Sequence, residues 1–121
     1  MIKVKRIYDG AEAADGYRVL VDRLWPRGIT KDAAKLDNWM KEIAPSPKLR
    51  TWYSHEIEKW PEFVRRYEAE LASEDQADRL KHLADIGRKG SLTLLFAARD
   101  EAHNSARVLL QVLEKRHGLR K

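Results

Sequence analysis

The run Leu92-Thr93-Leu94-Leu95-Phe96-Ala97-Ala98 constrains this chain more than any other segment. It carries no charge, is bounded by Gly90-Ser91 and Arg99-Asp100, and is far too short to cross a bilayer. It reads as a strand covered on both faces, and such strands occur mainly in parallel sheets with other elements packed above and below.

Two earlier segments read as strands as well. Ile2 to Tyr8 is rich in β-branched residues and ends at Asp9-Gly10. Tyr17 to Leu24 has the apolar centre Val19-Leu20-Val21 and is broken by Trp25-Pro26-Arg27-Gly28. Helical spacing dominates the middle of the chain. Leu36 to Ile43 places Leu36, Trp39, Met40 and Ile43 on one face. Ser46 can cap a helix that has Pro47 at its first position. Trp60-Pro61 opens the next, with the stripe Trp60, Phe63, Val64, Tyr67 and Leu71. Gln76 to Ile86 follows, stopped by Gly87 and Gly90. Asp100 is the expected cap of a last helix that runs to about Arg116, buries Ala102, Ala106, Leu109, Leu110 and Leu113, and closes at Gly118.

This order predicts an α/β fold: a single small domain over residues 1–121, with a short, mostly parallel, three-stranded sheet and helices packed around it. The connection Asp9 to Gly16 is shorter than the dozen or so residues usual for a parallel crossover, so an antiparallel first hairpin stays open.

Hydrophobic residues make up 43% of the chain and charged residues 36%, which marks a globular chain with a heavily charged surface. The net charge of +5 favours anionic partners, either an anionic small molecule or nucleic acid, although excess Lys and Arg can equally serve solubility. Without cysteine, disulfides, a thiol nucleophile and thiolate metal sites are excluded. The histidines at 55, 82, 103 and 117 form no HExxH and no close pair, and neither a P-loop nor GxGxxG is present, so neither metal nor cofactor is expected. Met1 to Arg6 is followed by no apolar leader segment, so no membrane association and a cytoplasmic location are expected.

Two constellations can carry chemistry. Asp22-Arg23-Leu24-Trp25-Pro26-Arg27-Gly28 follows a buried strand, and ligands of open α/β sheets bind beyond that edge. Arg23 and Arg27 offer forked donors to a carboxylate or phosphate, Trp25 can line or lid a pocket, and Gly28 allows close backbone approach. The structural alternative is an Asp22–Arg23 ion pair that fastens the turn. Arg99-Asp100-Glu101-Ala102-His103-Asn104 combines a strand end with a helix start, where free N–H groups favour anions. Arg99 adds charge, and Asp100 and Asn104 stand at the helix start. His103 is the candidate for proton transfer, unless it only supports the cap. If the second and third strands are parallel neighbours, Arg23, Arg27 and Arg99 converge and need Asp22, Asp100 or a bound anion between them. Lys48, Arg50 and His55 either extend a basic rim or form a solvated face, and Trp39, Trp52 and Trp60 read as core. The basic tail Lys115-Arg116-His117 and Arg120-Lys121 can touch nucleic acid or complement the helix dipole.

Asp15-Gly16-Tyr17-Arg18-Val19-Leu20-Val21-Asp22-Arg23-Leu24-Trp25-Pro26-Arg27-Gly28 resembles the YeaO-like family, short bacterial proteins classed as a domain of unknown function (number 488). The likeness continues through Trp39, Lys41, Ala44-Pro45-Ser46, Leu49-Arg50, the Trp60 to Leu71 helix, Leu92-Thr93-Leu94-Leu95 to Ala98, and Arg99, Asp100, His103-Asn104 and Ala106, and covers almost the whole chain. It implies an α/β fold and a bacterial or archaeal cytoplasmic protein, and carries no function with it. Longer relatives place a Cys-His-Arg motif where this chain has His103-Asn104-Ser105, so thiol chemistry does not transfer. A transcription-regulator label borne by some members finds no helix-turn-helix signature here.

Three functions remain on this reading. The first is binding of a phosphate- or carboxylate-bearing small molecule in an Arg-rich pocket, with His103 or Asp22 moving a proton if hydrolysis or group transfer occurs. The second is association with nucleic acid, and the third is a protein-interaction domain without catalysis.

Overall fold

All strands of the sheet run parallel. β1 (Ile2–Arg6), β2 (Tyr17–Leu20), β3 (Asn38–Trp39) and β4 (Leu92–Phe96) stand in the order β1-β4-β2-β3. The computed structural model describes residues 1–120. The apolar run 92–96 is the central strand. It pairs with β1 from Ile2↔Leu92 to Arg6↔Phe96, and with β2 from Tyr17↔Leu92 to Leu20↔Leu95. Every residue of β4 is buried, as its composition demands.

The sheet has four strands, not the three expected. The fourth comes from Leu36–Ile43, where apolar spacing predicts a helix. Only Lys41–Ile43 coils there, as a 3₁₀ turn, while Asn38–Trp39 pairs with β2. Asp37 N–H donates to the Arg18 carbonyl (2.8 Å) and Met40 N–H to the Leu20 carbonyl (2.9 Å). Tertiary pairing with an open strand edge overrides local helical spacing.

β1 and β2 flank β4 and run parallel to it, so the first connection is a crossover and not a hairpin. It needs no helix, because β2 spans only four residues. Two 3₁₀ turns, Ile7–Asp9 and Ala13–Asp15, carry the chain back. Their anchor is Asp15, fully buried, whose carboxylate meets the ammonium groups of Lys3 (3.0 Å) and Lys5 (3.1 Å) and the Arg18 guanidinium. Burial opposes the charge on Asp15, but the Glu12 backbone N–H and these three cations hold its carboxyl well below the usual carboxylate range. The Thr93 hydroxyl donates to the Asp15 carbonyl (2.7 Å). Gly16 then turns into β2 at φ +62, where a Cβ would lie 2.4 Å from the Ser91 oxygen.

The two faces of the sheet differ. Ile2, Val19, Val21, Leu92, Leu94 and Phe96 pack on α2 (Pro47–Tyr53), α3 (Trp60–Leu71), α4 (Glu74–Lys89) and α5 (Ser105–His117), which form the main core. Leu20 and Leu95 face a smaller cluster with Ile7 and Ala34, backed by Trp25 and Trp39 and by the short α1 (Lys31–Ala34). Alternation along a strand sends neighbouring residues to opposite faces. The long helices therefore cover one face and mostly irregular chain covers the other, in place of helices all around.

Several boundaries follow their signals. Ser46 caps α2, accepting from Leu49 N–H, and Gly118 closes α5 at φ +69. Others shift. β1 stops at Arg6, where the 3₁₀ turn Ile7–Asp9 begins, and β2 at Leu20, although Val21 N–H still donates to the Leu95 carbonyl (3.1 Å). Gly87 does not stop α4, which ends at Lys89; a Cβ on Gly87 would lie 2.8 Å from Leu119, so this glycine serves a close approach. Among the described residues no helix is long and apolar enough to cross a membrane.

Candidate functional site

The C-terminal ends of β2 and β4 lie side by side. The Ala97 backbone N–H donates to the Asp22 carboxylate at 2.9 Å, which joins the two predicted turns directly. Arg6, ending β1, donates to the carbonyls of Ala97 (3.2 Å) and Ala98 (3.0 Å) and fixes the same edge from its other side. A cavity of about 470 Å³ opens there. The turn after β2, the loop before α2, the starts of α3 and α5, and Ala97–Ala98 form its walls. A smaller cavity of about 270 Å³ lies at the opposite edge, lined by Met1, Ile2, Val4 and Leu110 with Lys3 and Arg107.

Asp22, Arg23, Trp25, Arg27, His103 and Asn104 all line the larger cavity. Gly28, Arg99 and Asp100 do not. Gly28 is exposed and holds φ +75 with open space where a Cβ would stand, so it shapes the turn. Arg99 is exposed. The third guanidinium at the cavity is instead that of Arg50, from α2.

The arginines differ in how they are held. Arg23 reaches the Ala44 carbonyl (3.3 Å) and the Pro45 carbonyl (3.3 and 3.4 Å) through long bonds. The guanidiniums of Arg27 and Arg50 make no hydrogen bond or ion pair among the described residues. Asp22 forms no ion pair with Arg23; its partner is a backbone N–H. Burial pushes the Asp22 carboxyl up to about 6, against the Ala97 N–H and the charge of Arg50, which both favour ionisation. It is the one carboxylate lining the cavity among the described residues, against three guanidiniums.

The start of the last helix corrects an expectation. α5 begins at Ser105 with Asn104 as its cap, accepting from Arg107 N–H at 3.0 Å. Asp100 instead organises the preceding bends. Its carboxylate accepts from the backbone N–H groups of Ala102 and His103, both at 3.0 Å, and contacts His103 Nδ1 at 3.0 Å. Those two N–H groups are thus occupied by an internal carboxylate. Asn104 also donates to the carbonyls of Asp100 and Glu101, so its amide is engaged at both ends.

Trp25 donates its indole N–H to the Ile29 carbonyl (2.7 Å) and packs edge-on against Trp39, with ring centroids 5.3 Å apart. Trp39 in turn donates to the Asp22 carbonyl (2.7 Å). The stripe residues Trp60 and Phe63, with Tyr53, line the cavity as well as the core, and Trp60 meets His103 edge-on at 5.2 Å. Tyr8 joins the rim, its hydroxyl donating to the Arg27 carbonyl (2.8 Å). The helical stripe of Trp60 and Phe63 marked burial, but nothing local marked that stripe's end as a cavity wall.

Residues 1–121 match the family model DUF488-N3i, described as the inactive DUF488-N3 subclade. The chain is 51% identical over 108 residues to the uncharacterized protein YeaO of Escherichia coli (strain K12), across 89% of this chain and 92% of that one. It is 42% identical over 115 residues to an uncharacterized protein of Mycobacterium tuberculosis (strain H37Rv), across 95% of both chains. An uncharacterized protein of Mycobacterium bovis matches to the same extent. No solved structure matches the chain.

Proposed function

The chain belongs to the YeaO-like DUF488 family, and from that premise we propose that it binds a small molecule bearing a carboxylate or phosphate in the cavity at the C-terminal edge of its sheet. One observation carries this reading: Arg23, Arg27 and Arg50 line a cavity of about 470 Å³, and none of the three is paired with a carboxylate among the described residues. Three guanidiniums around a single carboxylate, with which none of them forms an ion pair, leave an excess of positive charge that an anion from outside satisfies. The position agrees with the rule for open α/β sheets, whose ligands sit beyond the carboxyl ends of the strands.

The protein binds without turning its ligand over. The description of its subclade as inactive favours this, and so does the occupation of the N–H groups of Ala102 and His103 by Asp100. The arginines are not locked in internal ion pairs, which weighs against a purely structural role for them.

A thermal-shift series with inorganic phosphate, sulfate, acetate and larger organic anions tests the proposal. Ligand at 100-fold excess over Kd adds roughly 2.7 kcal/mol to stability. The wild type is expected to gain Tm with at least one anion, and Arg27→Ala/Arg50→Ala to lose that gain. No shift with any anion, or an equal shift in the double variant, overturns the reading.

A further inference from the structure

We infer that the ligand of this cavity carries its anionic group on a flat aromatic or heteroaromatic ring, so that the site reads a ring and a charge together; this rests on the anion-binding reading above. Three observations carry it. The cavity, at about 470 Å³, falls within the range of roughly 300–1,000 Å³ typical of drug-sized ligands and exceeds what a bare oxyanion fills. Its lining combines two chemistries. Arg23, Arg27 and Arg50 stand in the turn after β2 and on α2, while Tyr53, Trp60 and His103 supply rings. Trp60 is half-buried, nearly parallel to Phe63 at 5.3 Å and edge-on to His103, so its orientation is set before any ligand arrives. A preordered aromatic wall beside unpaired guanidiniums costs little to engage.

The third observation is exposed apolar surface. Large hydrophobic side chains exposed among the described residues are few, and two of them, Leu24 (56% exposed) and Tyr8 (41%), lie on the rim of this same cavity. Single exposed apolar residues need no explanation, but two at the mouth of one cavity mark a surface that gains by being covered. Nothing about an isolated phosphate or acetate would cover it. A ring held at the mouth by Leu24 and Tyr8 would.

The carboxylate and phosphate forms of such a ligand share this chemistry, and calorimetric titration of the full chain separates them. The probes are phenyl phosphate and benzoate, against inorganic phosphate and acetate without the ring, and benzyl alcohol without the charge. At least one ring-bearing anion is expected to bind about tenfold tighter than its ring-free counterpart, since one aromatic contact with its buried area is worth about that factor. Leu24→Ala, at an exposed position that leaves the core intact, is expected to reduce the ratio, and Trp60→Leu, checked for folding by circular dichroism, to abolish it. Equal affinity for phenyl phosphate and phosphate, and for benzoate and acetate, overturns the inference and leaves anion binding standing. Benzyl alcohol binding as tightly as the ring-bearing anions, or no probe binding at all, overturns both.

Discussion

Asp22 and Ala97 lie 75 positions apart in sequence, yet the Ala97 N–H donates to the Asp22 carboxylate at 2.9 Å. That bond closes the sheet edge beneath the cavity and puts a half-buried acid among three arginines.

The pH dependence of stability carries a signature of Asp22. Burial holds its carboxyl at about 6 in the folded chain, against about 3.9 when unfolded. Between these values the folded state keeps a proton that the unfolded state has lost, so this group's contribution falls as pH rises through the window. Asp22→Asn is expected to match the wild type near pH 4 and to be more stable at pH 7 by roughly 2 kcal/mol, from two units at about 1.4 kcal/mol each, discounted for partial exposure. Urea denaturation of both proteins at the two values checks this. Curves that stay parallel would mean that Asp22 titrates as an ordinary carboxyl.

Asp15 should be the most costly acid to neutralise. Its carboxylate is buried with Arg18 and faces Lys3 and Lys5. Asp15→Asn leaves Arg18 and Lys3 without their carboxylate, while Lys5 keeps Glu12 (2.7 Å), and removing one partner from a buried ion cluster costs about 3–5 kcal/mol. Because the Asp15 carboxyl is held below its unfolded value, its stabilisation is present above about pH 4 and fades as pH falls further. A loss under 1 kcal/mol in chemical denaturation would count against this account.

Two glycines with positive φ should separate cleanly. Gly16→Ala brings a Cβ to 2.4 Å from the Ser91 oxygen at φ +62, whereas Gly28→Ala at φ +75 meets nothing within 4 Å. The expected costs are above about 2 kcal/mol at Gly16, from backbone strain plus overpacking, and about 1 kcal/mol at Gly28, from strain alone. Equal costs in denaturant titration would rule out the clash with Ser91.

The three arginines of the cavity should differ in stability effects. Arg27→Ala and Arg50→Ala remove exposed, unpaired guanidiniums, and each should change stability by no more than about 0.5 kcal/mol. Arg23→Ala removes bonds to the Ala44 and Pro45 carbonyls and should cost about 1 kcal/mol. Thermal denaturation without ligand measures all three, and a large loss at Arg27 or Arg50 would reveal a structural role that the geometry does not contain.

Local signals were enough to place the central strand, the Ser46–Pro47 cap, the Trp60 to Leu71 stripe and the Gly118 stop, since each depends on residues within a few positions of one another. The same signals led to the turn after β2 as a cavity wall, because charged residues just past an apolar strand must emerge at a sheet edge. What they could not carry was partnership across the chain. Leu36–Ile43 has helical spacing but yields β3, because β2 offers it an open edge. Asp100 reads as a helix cap, yet Asn104 caps α5, because the Asp100 carboxylate takes up N–H groups inside the loop. Arg50 rather than Arg99 completes the cation cluster, since only the docking of α2 decides which edge its first turn faces. Sequence fixes what each short segment prefers through local sterics and hydrogen bonding. The packing of distant segments decides which preferences are satisfied, because burial and strand pairing are settled between residues that the chain keeps far apart.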